Sequence, residues 1–99
     1  MKRRVEIRAE AARELDDAVA YLNEHATGAG NRFLEAFYAA TERLLMYPEA
    51  GRALVEPLRK WVMVRWKYTI IYTIEAYGIH VVAVAHHARR PNYWRSRLR

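Results

Sequence analysis

Thr69-Ile70-Ile71-Tyr72-Thr73-Ile74-Glu75, then Ala76-Tyr77-Gly78, then Ile79-His80-Val81-Val82-Ala83-Val84-Ala85 is the stretch that decides the fold. Two runs of β-branched and aromatic residues flank a short glycine-containing turn, the pattern of two antiparallel strands joined tightly. Upstream, Trp61-Val62-Met63-Val64-Arg65-Trp66 is a third run of strand formers. Three consecutive strands with short connections predict an antiparallel meander.

Further upstream the period changes. Leu15, Ala18, Val19 and Leu22 fall at i, i+3, i+4 and i+7, with Ala11 and Ala12 on the flank, so residues 9–25 read as an amphipathic helix. His25-Ala26-Thr27-Gly28-Ala29-Gly30 interrupts it. A second helix is expected over 31–46, with Phe33, Phe37, Ala40 and Leu44 as one stripe and Leu34, Tyr38, Thr41 and Leu45 beside it. Pro48 and Gly51 end it. Ahead of both helices, Val5 and Ile7 alternate with Arg4, Glu6 and Arg8, a half-buried strand. The order strand, helical hairpin, three-stranded antiparallel meander is an α+β fold, expected as a single domain over 1–99, with one sheet packed on the hairpin.

Length and composition limit the function classes. Ninety-nine residues suit one core, and a hydrophobic share of 53% is that of a folded domain. The absence of cysteine excludes a disulfide framework and a thiolate zinc site. The start, Met1-Lys2-Arg3-Arg4-Val5-Glu6, lacks an apolar run behind its charges and does not read as a signal peptide, and no apolar run approaches the roughly 20 residues of a membrane span. A cytoplasmic location fits. The net charge of +6 is uneven: residues 1–50 hold seven Lys/Arg and nine Asp/Glu, residues 51–99 ten and two. A basic half implies an acidic partner, whether nucleic acid or an acidic protein segment.

The segment after the last strand is the chemically richest. His86, His87, Arg89, Arg90, Tyr93, Trp94 and Arg95 crowd into ten residues. By strand alternation, His86 should continue the face of Val82 and Val84, and His87 that of Val81, Ala83 and Ala85. One imidazole beside Arg65, Lys67 and Arg89 would suit metal-free RNA cleavage, which needs a base, an acid and a cation for the phosphorane. The same residues equally suit a charged, aromatic docking surface. Other chemistries lack support. Gly28 and Gly30 follow no strand and no Lys-Ser/Thr comes after them; the four histidines have no metal-ligand spacing. Glu14, Asp16 and Asp17 read as the solvated face of the first helix. Neither metal nor cofactor is expected.

Five motifs in order resemble the RelE/ParE superfamily of bacterial toxins from type II toxin–antitoxin modules. They are Val5-Glu6-Ile7-Arg8-Ala9-Glu10-Ala11, Asn31-Arg32-Phe33-Leu34-Glu35-Ala36-Phe37, Leu44-Leu45-Met46-Tyr47-Pro48-Glu49-Ala50-Gly51, Tyr68-Thr69-Ile70-Ile71-Tyr72, and Val84-Ala85-His86-His87-Ala88-Arg89-Arg90-Pro91-Asn92-Tyr93-Trp94. The resemblance spans about the whole chain. It implies a toxin neutralised by an acidic, partly disordered antitoxin that folds as it binds, meeting cations such as Arg59, Lys60, Arg65 and Lys67 and gripping the hairpin and an open sheet edge. DNA binding by such a complex would reside in the antitoxin, so no operator contact is expected from this chain.

Two branches remain open on the residues. The closing His86-x-x-Arg89-x-Pro91-x-Tyr93-Trp94 pattern and the cation-free Ile70-Ile71-Tyr72-x-Ile74 strand resemble the ParE-like side, which poisons DNA gyrase without cutting RNA. Arg89, Arg90, Tyr93, Trp94 and Arg95 would then be the target-binding residues. The alternative is a RelE-like, ribosome-dependent mRNA endoribonuclease, with Arg65, His86, His87, Arg89 and Tyr93 as its catalytic set.

Overall fold

The computed structural model describes residues 2–98; Met1 and Arg99 lie outside the described residues. The chain runs β1 (Arg4–Ile7), α1 (Ala9–His25), α2 (Ala29–Met46), β2 (Arg52–Ala53), β3 (Leu58–Met63), β4 (Tyr68–Glu75) and β5 (Gly78–His86), with 3-10 turns at Pro48–Ala50, Val64–Trp66 and Arg95–Leu98. The strands form one five-stranded sheet in the order β1-β5-β4-β3-β2. The expected antiparallel meander is β3, β4 and β5, but the sheet as a whole is mixed, because β1 joins β5 in parallel.

The helices obey their apolar stripes. Ala11, Leu15 and Ala18 of α1 and Phe33, Phe37 and Leu44 of α2 are buried against Ile70, Tyr72, Ile79, Val81 and Val84 of the sheet. Each large side chain sealed there contributes about 1.5–3 kcal/mol by leaving water. α2 begins two residues before the expected start. Gly30 lies so close to α1 that a Cβ there would stand 2.1 Å from the Val19 carbonyl oxygen. Its N–H donates to Asn23 Oδ1 across the hairpin at 2.8 Å.

The Pro48–Gly51 turn has a distant anchor. Tyr72 is fully buried in β4; its hydroxyl donates to the Pro48 carbonyl and accepts from Gly51 N–H at 3.0 Å. A Cβ on Gly51 would sit 2.3 Å from that hydroxyl. Burial, offset in part by the Gly51 N–H and by Arg59, pushes the Tyr72 phenol up from its ordinary value, so it stays a neutral donor.

Two expectations need correction. The run Trp61–Trp66 is not all strand: β3 ends at Met63, opposite Tyr68, and the chain reverses through Val64–Trp66 and Lys67, whose φ is 61°. The turn therefore uses apolar residues, and Val64 is 78% exposed. Alternation along β5 also fails. Tyr72 pairs with Val81 and Ile71 with Ala83, so Val82 is an extra residue, a β-bulge. The bulge reverses the faces. Val81 and Val84 meet the helices, while Val82 and Ala83 meet Leu58, Ile71, Leu54 and Trp94 on the far side.

Candidate functional site

The segment after β5 is a folded arm tied down by one carboxylate. Glu14 of α1 has a side chain only 12% exposed. Its Oε2 accepts from the Tyr93 hydroxyl at 2.6 Å and from Arg97 at 2.9 Å. Its Oε1 accepts from Arg97 at 3.0 Å and from Val84 N–H at 3.0 Å. Arg97 also donates to the Val82 carbonyl at 3.0 Å. β1 pairs with β5 only as far as Val81, which leaves Val82 and Val84 of β5 without a neighbouring strand on that side. Glu14 and Arg97 thus satisfy the backbone groups a further strand would have paired.

The electrostatics follow. Burial alone would raise the Glu14 carboxyl, but the bonds from Arg97, Tyr93 and Val84 outweigh it and hold the group below the usual glutamate value. Burial, with Glu14 as acceptor, pushes the Tyr93 phenol far up. Two guanidiniums lie near the Tyr93 ring, Arg89 at 4.0 Å and Arg97 at 5.1 Å from its centroid. Trp94 stands edge-on to it at 5.3 Å and turns back onto the far face of the sheet.

Glu14 is the anchor of the arm that sequence reading missed, having been placed with Asp16 and Asp17 on the solvated face. A signal existed: Glu14 lies three residues after Ala11 and four before Ala18, on the edge of the buried stripe. A carboxylate there calls for a partner.

The two histidines part company as the bulge dictates. His86 shares a face with Val84 and stands edge-on to Tyr68, centroids 4.9 Å apart. Its Nδ1 accepts from Ala88 N–H at 3.0 Å, so a neutral ring carries its proton on Nε2. His87 follows Ala85 to the far face, where its Nε2 shares a hydrogen bond with Thr69 Oγ1 at 3.1 Å. There a cleft of about 400 Å³ opens between the sheet and the arm, lined among others by Lys60, Thr69, Ile71, His87, Arg89 and Trp94.

The other named cations scatter. Arg65 and Lys67 are exposed in the β3–β4 turn; Arg65 lies 5.7 Å from the Trp66 ring. Arg59 is committed to the chain itself, donating to the Gly51 and Glu49 carbonyls. Arg90 and Arg95 are exposed on the arm and line a second hollow beside it. The cleft thus gathers His87 and Arg89, and His86 at its margin, while Tyr93 faces Glu14. Among the described residues, no group of three His, Asp or Glu side chains is arranged to hold a metal ion, and no helix is long and apolar enough to cross a membrane.

Comparison with known proteins adds two findings. The family model described as the ParE toxin of type II toxin-antitoxin system, parDE, matches residues 5–91, which leaves Tyr93, Trp94, Arg95 and Arg97 beyond the match. A solved structure entitled "Chromosomal ParDE TA system from P. aeruginosa" is similar with a TM-score of 0.61 at 17% identity, over 85% of this chain and 95% of that one. At that identity the likeness speaks for a shared fold. No curated protein matches the sequence.

Proposed function

The chain belongs to the ParE toxin family of type II toxin–antitoxin systems, and from that premise we propose that it is a non-enzymatic inhibitor of DNA gyrase. It acts in the cytoplasm as one toxin domain and is silenced by an acidic antitoxin. The observation that carries the reading is the use of Tyr93. The one phenol of the arm donates to Glu14 at 2.6 Å, held neutral and out of the cleft. A cleavage mechanism needs an acid and a base free to exchange protons with substrate. Here the Tyr93 proton is held by Glu14, while His86 and His87 each bond within the chain through one ring nitrogen, Nδ1 and Nε2 respectively. What the arm offers to solvent is instead charge: Arg89, Arg90 and Arg95, with the half-buried Trp94 beside them. Guanidiniums and an indole on a held loop suit recognition of a macromolecular surface.

The antitoxin reading is supported by charge and by edges. Lys60, Arg65 and Lys67 present cations on the sheet and its turn. Complementary charge of this kind chiefly speeds association. β2 covers only Arg59 and Lys60 of β3, so the outer edge of β3 beyond them has no strand partner among the described residues. An extended acidic segment can add there. Arg59, spent on the Pro48–Gly51 turn, supports the fold rather than this contact.

The test is a supercoiling assay with purified protein titrated into gyrase from the same source. The proposal expects inhibition with accumulation of cleaved DNA. Full supercoiling activity at saturating protein would overturn it.

A further inference from the structure

We propose that the cleft on the far face of the sheet is a site for single-stranded nucleic acid, taking one unpaired nucleotide with its phosphate on Lys60 and Arg89 and its base against Trp94. The inference stands apart from the gyrase reading and requires no cleavage.

The cleft is amphiphilic in the way a nucleotide demands. Its floor is apolar, made by Ile71, Ala85 and Val62, and its rim is cationic. No carboxylate lines it, and Lys60 makes no ion pair with any described acid. Bringing an anion there therefore displaces no existing partner of Lys60, while Arg89 would share its charge between the phosphate and Glu14 Oε2, 3.9 Å away. Its volume of about 400 Å³ falls in the range of sites for small ligands, roughly 300–1,000 Å³. A duplex, with its bases stacked inside, has no ring to offer such a cleft. The Trp94 indole forms one wall, and the Asn92 amide nearby can donate to or accept from a base edge.

A polymer fits better than a free nucleotide. The same loop borders the second hollow, of about 440 Å³, lined by Arg90, Pro91, Asn92, Tyr93, Arg95 and Ser96. Asn92 borders both hollows. Two adjacent cationic hollows sharing one loop give consecutive phosphates a track, with one aromatic platform along it, the combination that binds single strands without sequence preference.

The test is fluorescence anisotropy with short labelled oligonucleotides at low salt, against the full chain and two charge-matched variants. K60A/R89A removes two cations of the cleft. R32A/R43A removes two exposed cations of α2, away from it. The proposal expects single strands to bind, K60A/R89A to weaken binding about tenfold or more, and R32A/R43A to change it less than about twofold. Trp94→Leu, checked for folding by circular dichroism, should weaken binding about tenfold through lost stacking. Tighter binding of RNA than DNA would mark a transcript as the source, and the reverse an opened duplex; either supports the site. Equal loss in the two double variants, equal affinity for duplex, or no binding at all would overturn the proposal. Gyrase inhibition is read separately, so either idea can fail while the other stands.

Discussion

The helix-facing side of the sheet and the C-terminal arm are held by opposite kinds of force. The first is dry. Phe33, Phe37, Leu44, Ile70 and Ile79 are sealed there by burial alone, tied to no polar partner. The second is a polar knot, in which one carboxylate on α1 gathers Tyr93 and Arg97 from more than seventy residues away in sequence. Apolar burial is additive and forgiving of substitution; a buried charge fails sharply when its partner is removed. The comparison predicts that the arm can be released without melting the domain, whereas a cavity in the core weakens everything.

The largest effect should come from the core. Phe37→Ala is expected to cost about 3–5 kcal/mol in denaturant unfolding and to lower hydrogen-exchange protection in helices and arm together. Glu14→Ala comes next. It strands Arg97, whose side chain is 14% exposed, and should cost about 3 kcal/mol. Unlike the core variant, it should free residues 89–97 for exchange before the sheet. Equal exchange throughout would break the distinction between the two regions. Tyr93→Phe removes one donor to the carboxylate and keeps the ring beside Arg89 and Arg97. About 2 kcal/mol of loss is expected by the same measurement.

Acid sharpens the comparison further. The carboxyl of Glu14 is lowered in the fold, so its contribution is fully present above the unfolded glutamate value of about 4.3 and is lost as pH falls through the lowered folded value. Glu14→Gln should flatten that part of the stability–pH curve below about pH 4, while Phe37→Ala shifts the curve without changing its shape. The smallest effects belong to the histidines. His86→Ala and His87→Ala remove local bonds at the surface and should each change stability by about 0.5 kcal/mol or less.

The same contrast explains what the sequence could tell. The core elements are written in local periodicity: α1 runs over the expected residues 9–25, and β4 and β5 meet at the expected Ala76-Tyr77-Gly78 turn, whose Gly78 already belongs to β5. Period-two reading failed along β5, because the extra residue at Val82 is a matter of pairing with β4, which no spacing in β5 encodes. It failed again at Val64, where the need to reverse the chain overrode strand propensity. The arm was legible as composition but not as structure. Its crowding of Arg, His, Tyr and Trp was visible; its anchor, Glu14, was hidden in an acidic stretch of a distant helix. Which face each histidine takes was equally out of reach, since the answer passes through the bulge.

The most direct test compares two double variants side by side in the gyrase supercoiling assay. Arg89→Ala with Arg90→Ala removes exposed charge from the arm, and His86→Ala with His87→Ala removes both imidazoles. The account predicts that the arginine pair loses inhibition by about tenfold or more, in line with the weight of such anchors in interfaces, while the histidine pair inhibits as the parent does. Loss of activity in the histidine pair alone, with mRNA cleavage by the parent protein, would contradict a binding arm and make the histidines catalytic.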